Sequence, residues 1–120
     1  METLKLAVTT NSAGAGTATT WDIMGHVDRV RICYATTAAT TCDATFSVYN
    51  TTYGTQDVLA VSNTNTDGWY YPRDLACTGT GADIAANNVP FYVDGQPKLV
   101  VAQGGDTQAV TAYVSYAWPV

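Results

Sequence analysis

The chain has 120 residues and a mass of 12.7 kDa, which suits one domain with its own hydrophobic core, and we predict a single β-sandwich domain over residues 1–120. The net charge of −5 and an isoelectric point near 4.3 argue against a nucleic-acid-binding protein, which needs a basic face. The five basic residues form no polybasic run, and no apolar stretch approaches the roughly 18–20 residues that span a bilayer, so we predict no membrane contact. The N-terminus METLKLAVTTN lacks the features of a signal peptide, which favours a protein that stays in the cytoplasm or leaves it inside something larger.

The composition favours strands over helices. Twenty threonines and eight tyrosines stand against a single glutamate, and charged residues make up only 12% of the chain. A surface that is rich in threonine and poor in charge also favours a protein covered by partners, since freely diffusing domains usually carry more charge.

In the first half of the chain, alternation of apolar and polar residues predicts a series of short strands separated by turns. LKLAV comes first, NSAGAG is a turn, and AGTATTWDI, VDRVRICYA, ATFSVYN and DVLAV follow as strands. The side chains expected to face the core are Leu4, Leu6, Val8, Val30, Ile32, Tyr34, Phe46 and Val48.

In the second half, WYYPRD reads as an edge strand, because Pro72 cannot donate a hydrogen bond to a neighbouring strand. ACTGTGADIAANN reads as an irregular excursion, and VPFYV, PKLVVAQ and AVTAYVSYAW read as strands. The last strand is expected to turn Val110, Ala112, Val114, Tyr116 and Trp118 inward. Eight or nine short strands with little or no helix predict an all-β, single-domain sandwich of the jelly-roll type.

The three cysteines, Cys33, Cys42 and Cys77, are an odd number. Spacing allows a disulfide between Cys33 and Cys42 across the ATTAATT loop, whereas a cytoplasmic origin favours free thiols. Neither a C-x-x-C pair nor a Cys/His cluster indicates zinc.

The sequence offers weak grounds for catalysis. His26 is the single histidine, and Asp28 lies two residues on, where it could orient the imidazole. No serine or cysteine nucleophile is identifiable nearby, and no carboxylate pair can be placed across a cleft. We therefore predict that the protein is not an enzyme and has no catalytic residue.

The stretch NTNTDGWYYPRD resembles a twelve-residue calcium loop, with Asn63, Asn65 and Asp67 at alternate positions and Gly68 at the sixth. It departs from that motif because Asn63 replaces the first aspartate and Asp74 replaces the final glutamate. Neither flank reads as a helix, so an ordinary turn of Asn, Asp and Gly is the better interpretation, and no metal or cofactor is predicted.

Two segments are candidate protein contacts. In WYYPRD the candidates are Trp69, Tyr70, Tyr71 and Arg73. The rings could instead form a sugar platform, although in a strand Tyr70 points away from its neighbours, or they could belong to a half-buried edge strand. Arg73 could pair with a carboxylate of a partner or internally with Asp74 or Asp67.

The second candidate segment is AQGGDTQ, where the contact residues would be Gln103, Gly104, Gly105 and Asp106. The two glycines predict a hairpin turn between two strands, and hairpin tips of a sandwich are natural docking points. A plain tight turn is the alternative.

Several pieces of the chain, in order, resemble a family of small structural proteins encoded near the head genes of phages and prophages. The pieces are VTTNSAGAGTAT, WYYPRD and VVAQGGDTQAVTAYVSY, and the matching residues are 9–19, 27–34, 70–73, 98–105 and 113–114. The chain departs from the family in the loop between Cys33 and Cys42 and in the Ala/Asn-rich stretch 82–88.

The resemblance implies a non-enzymatic component of the virion, made in the host cytoplasm, and specifically a capsid decoration or cement protein. Such a protein would bind across neighbouring subunits of the major capsid protein and would self-associate as a dimer or trimer. Another virion component, in a tail, connector or fibre base, and a carbohydrate-binding β-sandwich module are the alternatives.

Overall fold

The computed structural model describes residues 1–77, 80 and 83–118 of the chain. This part contains ten strands and no helix: β1 (Glu2–Thr9), β2 (Gly16–Thr19), β3 (Ile23–Tyr34), β4 (Asp43–Asn50), β5 (Gly54–Val61), β6 (Gly68–Tyr70), β7 (Arg73–Cys77), β8 (Asp83–Pro90), β9 (Tyr92–Ala102) and β10 (Ala109–Ala117). The predicted all-β sandwich is confirmed. Among the residues described, none lies in a helix long and apolar enough to cross a membrane.

The strands form two antiparallel layers that share one joint. In the first sheet β10 lies between β1 and β3, and β6 pairs with the other side of β3. In the second sheet β9 lies between β2 and β4, and β5 pairs with β4. The joint forms where residues 23–26 of β3 pair with residues 92–95 of β9. The strands β7 and β8 make a separate two-stranded ribbon.

The core lies between the two sheets and follows the predicted alternation. All eight inward residues predicted in the first half of the chain are buried, as are four of the five predicted in β10. Trp118 is the exception, at 47% exposed. The pairing of β10 with β3 shifts register between Ser115 and Tyr116, and β10 ends at Ala117. The extra residue at this shift is Asp28 of β3, and Tyr116, which follows it in β10, is still buried. Trp118 lies past the end of β10, where strand alternation no longer predicts the orientation of a side chain.

Two glycines allow the strands to pack closely at the joint. Gly25 has φ of 147° and Gly95 has φ of 146°, a region that side-chain-bearing residues rarely adopt. A Cβ at Gly25 would overlap the carbonyl oxygen of Ala117 in β10, and one at Gly95 would overlap the carbonyl oxygen of Tyr49 in β4. Each long strand therefore contacts its neighbour at a distance that only glycine permits.

Two of the sequence predictions on strand connections are wrong. The stretch predicted as an irregular excursion contributes to β7 and β8, although residues 78, 79, 81 and 82 of it lie outside the described residues. The segment after Ala102 is not a hairpin turn, because β9 and β10 do not pair with each other and residues 103–108 cross from one sheet to the other. Local sequence identifies a turn, but which strands the turn joins depends on pairing that is distant in sequence.

Cys33 and Cys42 are free thiols, so the disulfide that their spacing allows is absent between them. Cys33 is half-buried and Cys42 is fully buried. The side chain of Cys77, residue 82 and the side chains of residues 83–87 in the Ala/Asn-rich stretch lie outside what the structure describes.

Candidate functional site

The aromatic segment predicted as a contact lies along the edge of the first sheet. Trp69 and Tyr71 are exposed, whereas the Tyr70 ring packs against the core, as strand alternation predicts. Pro72 lies between the end of β6 and the start of β7 and is buried. Two of the three neighbouring rings therefore face solvent and one belongs to the core.

Arg73 attaches this segment to β3. Its Nη1 donates to the backbone carbonyl of Asp28 at 2.9 Å and to that of Pro72 at 2.8 Å, and its Nη2 lies 3.7 Å from Oδ1 of Asp28. The sequence offers Asp74 and Asp67 as internal partners, and it does not point to Asp28, which is 45 residues away along the chain. The carboxylate of Asp67 instead accepts the backbone N–H of Tyr34 at 2.8 Å.

The second predicted contact segment is held by neighbouring loops. Gly104 is buried, donates its N–H to the carbonyl of Gly14 at 2.9 Å and accepts from the N–H of Ala39 at 3.1 Å. The carbonyl of Gly105 accepts a hydrogen bond of 2.6 Å from the hydroxyl of Thr10. The side chains of Gln103 and Asp106 remain exposed, whereas Gly104 is enclosed by the neighbouring loops.

The side chains of the calcium-like stretch contact separate parts of the fold. Asn65 donates to the carbonyl of Ala38 at 2.7 Å, and Asp67 accepts from Tyr34 as described above. Asn63 has a left-handed backbone with φ of 54°, as expected for a turn. Within the described residues no three His, Cys, Asp or Glu side chains gather where they could hold a metal.

His26 and Asp28, which the sequence offers as a catalytic pair, contact different residues in the structure. The imidazole of His26 meets the ring of Tyr92 edge to face, with centroids 5.1 Å apart, while Asp28 pairs with Arg73. The histidine thus belongs to an aromatic contact across the joint.

A cleft of about 440 Å³ opens where the end of β4, the start of β5 and the start of β9 meet, and we call it the tyrosine cleft. Its lining residues are Val48, Asn50, Tyr53, Gly54, Gln56, Tyr92 and Asp94. Tyr53 is 81% exposed and Tyr92 is 45% exposed, whereas Val48 is buried. Two flat rings thus lie beside an amide and a carboxylate, a combination that suits a ligand with both apolar faces and hydroxyl groups.

Asn50 fixes the turn that carries Tyr53. Its side-chain oxygen accepts the N–H groups of Thr52 and Tyr53 at 2.8 and 3.2 Å, and its amide nitrogen donates to the carbonyl of Asp94 at 3.0 Å. This Asx turn ties the β4–β5 connection to β9, so both tyrosines of the cleft are set on one supported frame.

The residues that line the cleft do not form a hydrolytic site. Asp94 is the single carboxylate among them, and glycoside hydrolysis needs two. Neither a serine nor a cysteine is present in the lining to act as a nucleophile. The cleft can bind, by stacking and hydrogen bonding, but its lining offers no pair of groups for acid–base chemistry.

Sequence reasoning missed the tyrosine cleft, because its residues come from three segments that meet only in the fold. A partial signal was present in NTTYG, where an asparagine precedes a tyrosine in a turn, and in YVDGQ, where Tyr92 and Asp94 alternate outward. Neither signal places the two segments together.

Two buried titratable side chains, Tyr34 and Cys42, lie near Tyr70 of β6 and Asp67. The hydroxyl of Tyr34 is buried and has no hydrogen-bond partner among the described residues. Burial, together with the nearby Tyr70, Cys42 and Asp67, raises the pKa of Tyr34 above its ordinary value. Burial also raises the pKa of Cys42, with a smaller contribution from Asp43. Both groups are therefore held in their neutral forms.

No protein-family model and no curated protein matches this chain. Among solved structures, a mutant of the carbohydrate-binding module CBM29-2 is similar with a TM-score of 0.49 and 10% identity, over 94% of this chain and 70% of that one. A mutant of a family 29 carbohydrate-binding module gives a TM-score of 0.45 and 10% identity, over 99% and 100% of the two chains. Another family 29 module gives 0.44 and 10%, over 97% and 87%. Similarity at this level carries no information about the function of this chain.

Proposed function

We propose that this protein is a non-catalytic carbohydrate-binding module whose ligand site is the tyrosine cleft. The observation that carries the proposal is the presence of two exposed rings, Tyr53 and Tyr92, in one cleft with the side chains of Gln56 and Asp94. A sugar ring has an apolar C–H face that can lie on an aromatic ring, and hydroxyls at its edge that can donate to a carboxylate or exchange hydrogen bonds with an amide.

The support beneath the rings strengthens the proposal. Binding costs free energy for every group that must be ordered, so a site whose residues are already positioned loses less affinity. Here Asn50 holds the Tyr53 turn, and His26 contacts the ring of Tyr92 from the neighbouring strand. The cleft is therefore organised before a ligand arrives.

The test is a glycan array followed by isothermal titration calorimetry on the best ligand. Replacing Tyr92 with alanine should weaken binding by about 10-fold to 30-fold, because an anchoring aromatic ring contributes on the order of 2 kcal/mol. Tyr49→Ala is the matched control, since Tyr49 is also 45% exposed and does not line the cleft. Absence of any glycan ligand, or equal losses in the two variants, would contradict the proposal.

A second candidate function rests on a different observation. All three tryptophans are well exposed, Trp21 at 67%, Trp69 at 48% and Trp118 at 47%, and aromatic residues of this kind are enriched where proteins dock. This supports a virion role, with the chain decorating a capsid through Trp69 and Tyr71, the major capsid protein as partner and self-association on the shell.

Quantitative mass spectrometry of purified particles tests this second candidate. A copy number equal to that of the major capsid protein, or a simple fraction of it, is the result expected of a decoration protein. A few copies per particle would indicate a tail or connector, and absence from particles would exclude the virion role.

A further inference from the structure

The outer face of the first sheet carries a row of alternating cations and aromatic rings. The strand registers place Lys5 opposite Tyr113, Tyr113 opposite Arg31, and Arg31 opposite Trp69. Arg29, two residues before Arg31, joins the same cluster. We call these five residues the cation–aromatic face.

The rings and cations of this face are in contact. The guanidinium carbons of Arg29 and Arg31 lie 4.7 and 5.4 Å from the centroid of the Trp69 ring, and Nζ of Lys5 lies 6.0 Å from that of Tyr113. These distances are those of cation–π interactions. A guanidinium that stacks through its flat face leaves N–H groups at its edge free to donate to an anion.

The charge on this face is unusual for the chain. Three of the five basic residues are here, although the protein has a net charge of −5. The salt bridge between Arg73 and Asp28 in the described part of the chain includes none of the three cations of the face. Two guanidiniums over one ring repel each other, and a bound anion would offset that cost.

The cation–aromatic face is continuous with the tyrosine cleft. Arg31, Arg29 and His26 all lie on the outward side of β3, and His26 pairs in register with Tyr92 of the cleft and contacts its ring. At about 3.3 Å per residue, the distance along β3 from His26 to the two arginines is about 10–17 Å. An extended ligand seated in the cleft would pass over His26 and reach the guanidiniums.

We propose that the cation–aromatic face is a second subsite, which binds the carboxylate groups of a uronate-containing polysaccharide. The inference rests on the proposed carbohydrate function and specifies its ligand. Asp94 favours an uncharged sugar in the cleft itself, so the carboxylates belong on the adjoining face. Three cations in an acidic protein suit charges spaced along a sugar chain better than a nucleic acid, which carries a charge about every 1.7 Å.

The experiment compares acidic polysaccharides with their carboxyl-reduced forms. The probes are polygalacturonate, alginate and hyaluronate, each arrayed beside its reduced counterpart, with calorimetry on the best pair. The unmodified protein should bind one acidic chain about tenfold more tightly than its reduced form, since a charged hydrogen bond contributes on the order of 1.5 kcal/mol or more. Added salt should weaken binding of the acidic chain alone.

Charge variants identify the residues responsible for the preference for the acidic chain over its reduced form. The double variant Arg29→Gln/Arg31→Gln should bind both forms equally while retaining affinity for the reduced chain. Lys98→Gln is the control, because Lys98 lies on β9 where the second sheet pairs with β2 and β4, away from this face. The preference should survive in that variant.

The outcomes separate this inference from the function on which it rests. Tyr92-dependent binding without any preference for the acidic form, or a preference that persists in the double arginine variant, would overturn the subsite alone. No binding to any glycan would overturn both. Arginine-dependent binding to capsid protein, with no glycan bound, would assign the face to a protein partner and overturn the subsite as well.

Discussion

The tyrosine cleft and the cation–aromatic face use the same aromatic chemistry in opposite electrostatic settings. In the cleft, Tyr53 and Tyr92 lie beside the carboxylate of Asp94. On the face, Trp69 and Tyr113 lie beneath cations. A ring supplies contact area in both places, and its charged neighbours decide whether a neutral or an anionic group is favoured there.

The two surfaces also differ in how they are built. The cleft depends on a turn fixed by Asn50, whereas the face is a regular cross-strand row whose spacing follows from strand register alone. The joint between β3 and β9 connects them through His26 and Tyr92. Substitutions at the joint, at the turn and in the core beneath the face should therefore have separable effects.

The largest effect is expected at the joint. Gly25→Ala places a Cβ against the carbonyl of Ala117 and in a left-handed backbone, so we expect a loss of about 3 kcal/mol in the free energy of unfolding. Binding at both surfaces should weaken together. Chemical denaturation and glycan titration would measure the two losses.

The control for this change is Gly54→Ala. Gly54 has φ of 84° and no atom within 4 Å of an added Cβ, so its substitution should cost only backbone strain, about 1 kcal/mol. Equal losses of the free energy of unfolding in Gly25→Ala and Gly54→Ala would show that close packing at the joint contributes nothing to stability.

An intermediate effect is expected at the turn. Asn50→Ala removes three hydrogen bonds and should lower stability by about 1–2 kcal/mol, with a several-fold loss of affinity for a neutral sugar. Asn11→Ala is a matched control, because Asn11 accepts the N–H groups of Ala13 and Ala15 in a similar turn elsewhere. If both variants bound glycan like the parent protein, the cleft would not depend on this turn.

The smallest effect is expected from Tyr34→Phe, in the core beneath the cation–aromatic face. Removing a buried hydroxyl without a partner should raise stability by about 1 kcal/mol at neutral pH. Because the folded-state pKa of Tyr34 is raised, this tyrosine ionises in the unfolded chain before it ionises in the folded protein. The titration therefore leaves the stability of the parent protein unchanged below about pH 10 and lowers it as the pH rises further.

Thermal melts between neutral pH and about pH 11 would measure this difference. The variant should lose less stability than the parent protein at alkaline pH, and Tyr71→Phe, at an exposed ring, should melt like the parent. A destabilised Tyr34→Phe variant would show that the hydroxyl has a partner and contradict the assignment.

Much of the sandwich could be predicted from alternation. The inward positions of β1, β3, β4 and most of β10 follow from period two, because a strand that packs one face against a core must alternate. The prediction failed at Trp118, which lies past the end of β10, and at the segment after Ala102, where a local turn signal does not specify which strands are joined. The candidate residue Trp69 can be identified from the aromatic stretch WYYPRD, but its cationic neighbours cannot.

The sequence by itself determined the fold class, the inward face of the long strands and the low, acidic charge, because each depends on residue type and local spacing. Only the tertiary structure decided which side chains meet. Tyr53 and Tyr92 are 39 residues apart in sequence numbering and share a cleft, while Lys5 and Trp69 are 64 apart and share a row. No local pattern specifies which distant strands pair, and this pairing brings together the residues that give both surfaces their chemistry.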